Sequence, residues 1–426
     1  MKTAPSNGTV DIAIIGAGPQ ALTLVTHLLQ KKESMRNRFV VLDPAGDWLQ
    51  QWQHQFAAYD IPHLRSPAVH HPDPDPHALR TFAESRSSEL FPPYDLPGTQ
   101  LFHDFCQEVI RRWELQERVI PAQVQQIELF HQQGWQRFRL GLADGRVLTA
   151  KRVVLAIAGG KPNIPPWMQT RAGETPKAGE TPKAGETPAP HRLLHSHHID
   201  LRSLRQLTGE TILIVGSGLT SGHLALGAIA RGARVIMMAR RTFYEKLFDA
   251  EPGWLGPKYL KGFHAEPDWE TRWQMIQAAR NGGSLTPAVL TQLRRRKRDG
   301  KVSFYEQCEV QSAAWQEDAW KVTCNQPGVH NCIAQQRIDR IWLATGSTLD
   351  VNHWPLLANI RATNPLPLVN GLPVLDERLR WAGRNLFIMG GAAALQLGPV
   401  ARNLFGARLA SNRIVPALIK DFRGRS

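Results

Sequence analysis

Apolar residues fall along this chain in short runs, and two of these runs lead straight into a glycine turn. Asp11-Ile12-Ala13-Ile14-Ile15 precedes Gly16-Ala17-Gly18-Pro19-Gln20-Ala21. About two hundred residues later, Thr211-Ile212-Leu213-Ile214-Val215 precedes Gly216-Ser217-Gly218-Leu219-Thr220-Ser221. Unbroken apolar runs of this length predict strands buried on both faces, and the small-residue stretch after each predicts a helix. Further strands are expected at Phe39–Leu42, Arg152–Ile157, Arg234–Met238, Val302–Tyr305, Trp320–Thr323 and Arg340–Ala344. Leu101, Phe105, Val109 and Trp113 share one helical face, and Val119 to Leu148 alternates as short β segments. The stretch 242–299 is rich in helix formers. An amphipathic helix is expected from Pro399 to about Lys420.

The two glycine turns carry the candidate chemistry. A pyrophosphate must approach backbone N–H groups closely. Gly16 permits the tight turn, Gly18 removes the Cβ that would block a phosphate, and Ala21 lets the helix pack near its strand. The second turn repeats this with Gly216, Gly218 and Ser221, and Pro19, Gln20, Leu219 and Thr220 complete the two helix starts. The two units differ in charge at the end of their next strand. The first closes it with Asp43, whose carboxylate suits free ribose hydroxyls. The second closes it with Arg240-Arg241, which suits a 2′-phosphate. These features predict an α/β fold of two Rossmann-like dinucleotide-binding domains, FAD in the first and NADPH in the second.

The predicted organisation is an FAD domain over residues 1–165, a seam over 166–207, an NADPH domain over 208–335 with its helical insertion at 242–299, and a return to the FAD domain over 336–426. In the seam, Ala-Gly-Glu-Thr-Pro-Lys repeats almost three times between 172 and 188, a composition with too few apolar groups to offset ordering entropy. Thr345, Gly346, Gly390, Gly391, Leu397 and Gly398 are the expected flavin contacts of the returning chain.

Composition narrows the field further. The chain has 426 residues, of which 42% are hydrophobic and 21% charged, enough for two or three full cores. Lys and Arg exceed Asp and Glu by 14. The densest run, Arg294 to Arg298, reads as a solvated helix end, so no nucleic-acid partner is expected. Four cysteines are scattered without a C-x-x-C pair, which argues against a dithiol reductase and a zinc ribbon. No metal is expected. The polar start at Met1 to Val10 and the lack of a long apolar run suggest a cytoplasmic protein. Oligomer formation is left open.

Further stretches carry a resemblance. Gly46-Asp47-Trp48 after Asp43 resembles the Gly-Gly-x-Trp of class B flavin monooxygenases. Leu194-His195-Ser196 resembles their His-Ser segment. Arg240-Arg241, together with Leu255-Gly256-Pro257-Lys258-Tyr259-Leu260 and Phe263, is similar to the N-hydroxylating lysine and ornithine monooxygenases. That resemblance implies an enzyme using FAD, NADPH and O₂ to hydroxylate an amine through an oxygen adduct at flavin C4a. Three departures stand beside it. The Phe-x-Gly of the signature is missing near His191-Arg192, Ser347 replaces the tyrosine after Ala344-Thr345-Gly346, and Gly390-Gly391 replaces Gly-Asp. A reductase or oxidase without oxygen insertion, and a decayed redox-responsive flavoprotein, are the competing readings. Trp48 and Trp52 are candidate flavin covers, and His63, Arg65 and His195 are the candidate catalytic residues.

Overall fold

The computed structural model describes residues 9–169, 192–280 and 282–420; the 172–188 repeat lies outside them. Two sheets, the first mixed and the second wholly parallel, organise the chain. The first has seven strands. Its path runs Val119–Pro121, Phe39–Asp43, Thr9–Ile15, Val147–Leu155, Trp135–Leu142 and Val124–Gln132. The first four are parallel and the last two form an antiparallel extension. The long strand Val147–Leu155 serves two partners. Its beginning pairs with Trp135–Leu142, and its end takes Leu386–Ile388 in parallel, with Phe387 opposite Val154. The C-terminal chain thereby returns to the first sheet, which makes the first domain discontinuous.

The second sheet has five strands, all parallel, in the order Leu193–His195, Arg340–Leu343, Thr211–Val215, Arg234–Met238 and Val302–Tyr305. This corrects the expected boundaries. Leu193–His195 falls in the predicted seam and Arg340–Leu343 in the predicted return to the first domain, yet both belong to the second sheet. An apolar run buried on both faces looks the same whichever sheet receives it.

The insertion is also shared differently. Phe243, Leu285, Val289, Leu290 and Leu293 pack into the core of the second sheet. Trp254, Leu260, Phe263 and Ile276 pack into the core of the first. Helices Pro257–Ala265 and Trp269–Arg280 therefore pack on the first unit and helix Pro287–Arg298 on the second, so the insertion as a whole spans both. Arg272 fixes the first two in place: it is buried, donates to the carbonyls of His264, Glu266 and Leu395, and lies over the rings of Trp269 and Phe263.

The last helix begins later than the pattern predicts. Gly398, at φ +79°, ends the short helix Ala394–Leu397, and the chain then turns through Pro399. The helix Leu404–Ile419 starts only after Asn403, whose side-chain oxygen accepts the Gly406 N–H at 2.9 Å. The first-turn preference of proline loses here to a better cap. The basic run behaves as expected, since helix Pro287–Arg298 ends there.

Candidate cofactor and substrate site

The two glycine turns are built alike. Gly16 N–H donates to Leu42 O and Gly216 N–H to Met238 O, at 2.8 and 2.9 Å. Ala156 N–H donates to Ile15 O and Ala344 N–H to Val215 O, both at 2.9 Å. Each first glycine has positive φ and sits against the neighbouring strand's end. A Cβ on Gly16 would lie 2.8 Å from Ala156 O, and one on Gly216 2.3 Å from Ala344 O. Each second glycine differs: a Cβ on Gly18 or Gly218 would meet nothing within 4 Å. Both cap their helices without a side-chain hydrogen bond. Two helix N-termini thus present N–H groups to open space, the arrangement an anionic pyrophosphate requires. Pro19 begins the first helix and Ala21 is fully buried in it. In the second, Leu219 and Thr220 form the first turn, and buried Ser221 donates its hydroxyl to Gly218 O at 2.6 Å.

The surroundings fit a dinucleotide in the first turn. Asp43 accepts Ala17 N–H through one oxygen and Ala45 N–H through the other, both at 2.9 Å. Gln20 donates to the carbonyls of Ala401 and Asn403, while its Oε1 is buried with no partner among the described residues. Gly390 lies against Gln20 and Ile157, and Gly391 against Leu349 and Arg402. Gly398 packs on Leu260, Phe263 and Trp254, which explains the Pro-Lys-Tyr helix in the sequence: it backs the C-terminal loop. Leu397 is fully buried beside it.

In the second turn, the residue in register with Asp43 is Ala239, because Gly216 bonds the carbonyl of Met238 just before it. That position therefore carries no carboxylate of its own. Arg240 comes next and is exposed. Arg241 donates to Gly282 O at 2.8 Å, so part of its charge is committed to the insertion. Gly283, at φ +102°, approaches the turn so closely that a Cβ would lie 3.2 Å from Gly218 Cα. Sequence reasoning missed Gly282-Gly283; a glycine pair between two helical stretches was the signal.

The domain crossovers meet at Asn163, also missed. Its backbone N–H donates to Gly346 O at 3.0 Å and its amide to Thr345 O at 3.2 Å. Its oxygens accept the hydroxyls of Thr345 and Thr348, each at 2.5 Å. Thr345 and Gly346 therefore sit in the crossover between the units.

The structure corrects several candidates. Trp48 is 0% exposed and donates its indole N–H to Leu115 O at 2.9 Å, so it has no face for a flavin. Trp52 stacks on Phe56 at 4.0 Å and borders a shallow depression with Asp60, Thr99 and Arg202, none of them in a glycine turn. Both were expected as flavin covers, and both are aromatics of the first domain's packing instead. His195 has neither nitrogen free. Nε2 contacts Gly346 O at 3.1 Å and Nδ1 accepts the His197 N–H at 3.3 Å. Burial and His197 hold its pKa below the ordinary value, so it is a neutral strut at the crossover. Arg65 is a strap. It donates to the carbonyls of Lys246, Leu247 and Phe248 and to Ser284 Oγ, at 2.6–2.9 Å, tying the first domain to the insertion. Only His63 keeps an open position: Nδ1 contacts Leu64 O at 3.0 Å, leaving Nε2 as an acceptor.

A family model described as L-lysine 6-monooxygenase/L-ornithine 5-monooxygenase matches residues 96–348, more than half of the chain. The chain belongs to this family. Its class is therefore that of the FAD- and NADPH-dependent monooxygenases, and the competing reading of a decayed flavoprotein is set aside. A second model, described as FAD-NAD(P)-binding, matches residues 13–160. No curated protein matches the sequence. Among solved structures, this monooxygenase resembles the cadaverine monooxygenase of Erwinia amylovora, with a TM-score of 0.73 at 15% identity over 97% of this chain and 95% of that one. It resembles the ornithine N-hydroxylase of Kutzneria sp. 744, described with reduced FAD, NADP⁺ and L-ornithine, at 0.74 and 14% over 97% and 100%. The L-lysine 6-monooxygenase of Pseudomonas syringae gives 0.70 and 17% over 96% and 99%. At these identities the likeness concerns the fold. No described helix is long and apolar enough to cross a membrane, and the described residues hold no His, Cys, Asp and Glu group suited to a metal ion.

Proposed function

We propose that this monooxygenase hydroxylates the terminal nitrogen of a small primary amine, drawing electrons from NADPH. The observation that carries this is the pairing of two open helix N-termini with opposite neighbours, Asp43 at one and Ala239-Arg240 at the other, in a chain of this family. The relatives act on cadaverine, ornithine and lysine, all of which carry a primary amine at the end of a short alkyl chain.

When bound, the flavin supplies hydride acceptance from NADPH and the activation of O₂. The chain's own residues hold and enclose it. The N–H groups after Gly18 would bind the FAD pyrophosphate, Asp43 its ribose, and Gln20 Oε1 a donor of the cofactor. The N–H groups after Gly218 would bind the NADPH pyrophosphate, with Arg240 on the 2′-phosphate and Arg241 beside it. Thr345, Gly346, Gly390, Gly391, Leu397 and Gly398 would shape the flavin's enclosure. The insertion, which packs on both units, would help to exclude water from the site. His63 Nε2 would accept the proton that the substrate ammonium must lose before its nitrogen can act as a nucleophile.

Purified, FAD-loaded enzyme given NADPH and O₂ should form hydroxylamine from a terminal primary amine and consume NADPH in equal amount. NADPH consumption matched by hydrogen peroxide, with no hydroxylamine from any primary amine, would favour the oxidase reading.

A further inference from the structure

Aromatic rings gather around His63 from three segments that are distant in sequence. The hairpin of Leu90–Phe91 and Leu96–Pro97 lies along the loop that follows His63, where Leu64 N–H donates to Pro97 O at 2.9 Å and Ala68 N–H to Asp95 O at 3.0 Å. Arg65 ties the same loop to the insertion through the carbonyls of Lys246, Leu247 and Phe248. The rings follow their backbones. Phe91 stands beside His63 with ring centroids 4.9 Å apart, and Tyr94 meets Phe248 at 5.3 Å. These contacts orient the rings without covering them: Phe91 is 37% exposed and Tyr94 50%. A single exposed aromatic is ordinary, but here two ring pairs share one hairpin beside a candidate catalytic residue.

Carboxylates on the same segments are already paired. Glu89 is held by Arg86 at 2.6 Å, Asp95 by Arg80 at 2.8 Å and Asp249 by Arg280 at 2.5 Å. None of the three is left without a cation, so none is set to draw a second ammonium group. His63 is different. With Nδ1 on Leu64 O, its Nε2 makes no hydrogen bond among the described residues. An amine nitrogen arriving at Nε2 brings the carbons next to it within reach of the Phe91 ring, which lies 4.9 Å from the imidazole. Beyond Phe91, the same hairpin offers Tyr94, and the insertion offers Phe248.

We propose that Phe91, Tyr94 and Phe248 form the subsite for the carbon body of the substrate, so that this enzyme takes primary amines with an apolar or aromatic body in preference to diamines and amino acids. The inference rests on the N-hydroxylation reading, with His63 as proton acceptor, and departs from the polar amines named for the similar structures. Phe91 and Tyr94 are specificity residues in this account, and His63 receives the proton. A methylene or phenyl group moved from water onto these rings gains the free energy of apolar burial. A second ammonium or a carboxylate placed there gives up water and meets no unpaired partner among Glu89, Asp95, Asp249 and their arginines. Apolar walls with one converging polar group are the usual construction of a small-molecule site.

The test is equilibrium binding to the FAD-loaded enzyme by calorimetry, with 2-phenylethylamine, hexylamine, cadaverine and L-ornithine as probes. Both apolar amines should bind about 10-fold or more tightly than cadaverine and L-ornithine, the scale of burying two methylene groups. Phe91→Ala should cut that advantage to about 3-fold or less, and Phe91→Leu should keep more of it for hexylamine than for 2-phenylethylamine. Tyr94→Ala changes the more exposed ring, which has less packing to lose; it should weaken both apolar amines and leave the FAD dissociation constant within about 2-fold of the parent. Cadaverine or L-ornithine binding as tightly as the apolar amines would overturn the inference, as would an apolar advantage that survives both alanine substitutions. A parallel hydroxylamine assay separates the two layers. Preferred binding of apolar amines without hydroxylamine would keep the aromatic subsite and remove the N-hydroxylation reading. Hydroxylamine formed equally from all four amines would keep that reading and remove the subsite.

Discussion

Replacing Gly18 by alanine isolates what the first glycine turn does. Gly18 has φ −79° and ψ −175°, a conformation alanine adopts readily, and its Cβ would meet nothing within 4 Å. The apoprotein should therefore keep its stability or gain about 0.4–1 kcal/mol from a less flexible unfolded chain. The new methyl would project into the space assigned to the pyrophosphate. Loss of two charge-assisted N–H contacts, at roughly 1.5–3 kcal/mol each, would weaken FAD binding by about 100- to 1000-fold or more. Gly16→Ala is the contrasting change. Gly16 has φ +99°, and its Cβ would lie 2.8 Å from the backbone oxygen of Ala156. Backbone strain of about 1–3 kcal/mol and overpacking of similar size should lower the apoprotein Tm by roughly 5–15 °C. Thermal denaturation of the two apoproteins and fluorescence titration with FAD read both effects. A Gly18→Ala protein with parental FAD affinity would refute the placement of the pyrophosphate. So would an apoprotein destabilised more by Gly18→Ala than by Gly16→Ala.

The same geometry and the buried imidazoles give two other outcomes. Arg240→Ala should lower kcat/KM for NADPH by about 10- to 100-fold with little change for NADH, the scale of one guanidinium–phosphate contact; Arg241→Ala should add a loss of thermal stability because Arg241 also holds Gly282. An unchanged NADPH/NADH ratio in Arg240→Ala would remove the 2′-phosphate assignment. Burial is the first cause that brings His70, His71 and His223 down to about pKa 4 from the ordinary 6.5, aided by Arg408 beside the first two and by His63 beside the third. The unfolded chain then binds more protons, so their contribution is complete above about pH 6.5 and lost as pH falls toward 4, of order 1–3 kcal/mol per imidazole. Tm measured from pH 8 to pH 4 should fall along this limb, and His223→Leu should flatten it; a profile equally steep in the variant would contradict the assignment.

Local chemistry settled much of this protein before any fold was known. Glycine turns after apolar runs marked both nucleotide units, since a tight turn, a close phosphate approach and a buried parallel strand each demand particular residue types at short spacing. The charge contrast between Asp43 and Arg240-Arg241 was readable for the same reason. The tertiary structure decided whatever depends on residues distant along the chain. Leu193–His195 and Arg340–Leu343 joined the second sheet because strand pairing is a choice among distant partners that an apolar run does not encode. Trp48, Trp52, Arg65 and His195 ceased to be flavin and catalytic candidates once their packing or hydrogen bonds were occupied by Leu115, Phe56, the 246–248 carbonyls and Gly346. Spacing along a strand or helix is a property of a few neighbouring bonds. Occupancy of a side chain is a property of the whole fold.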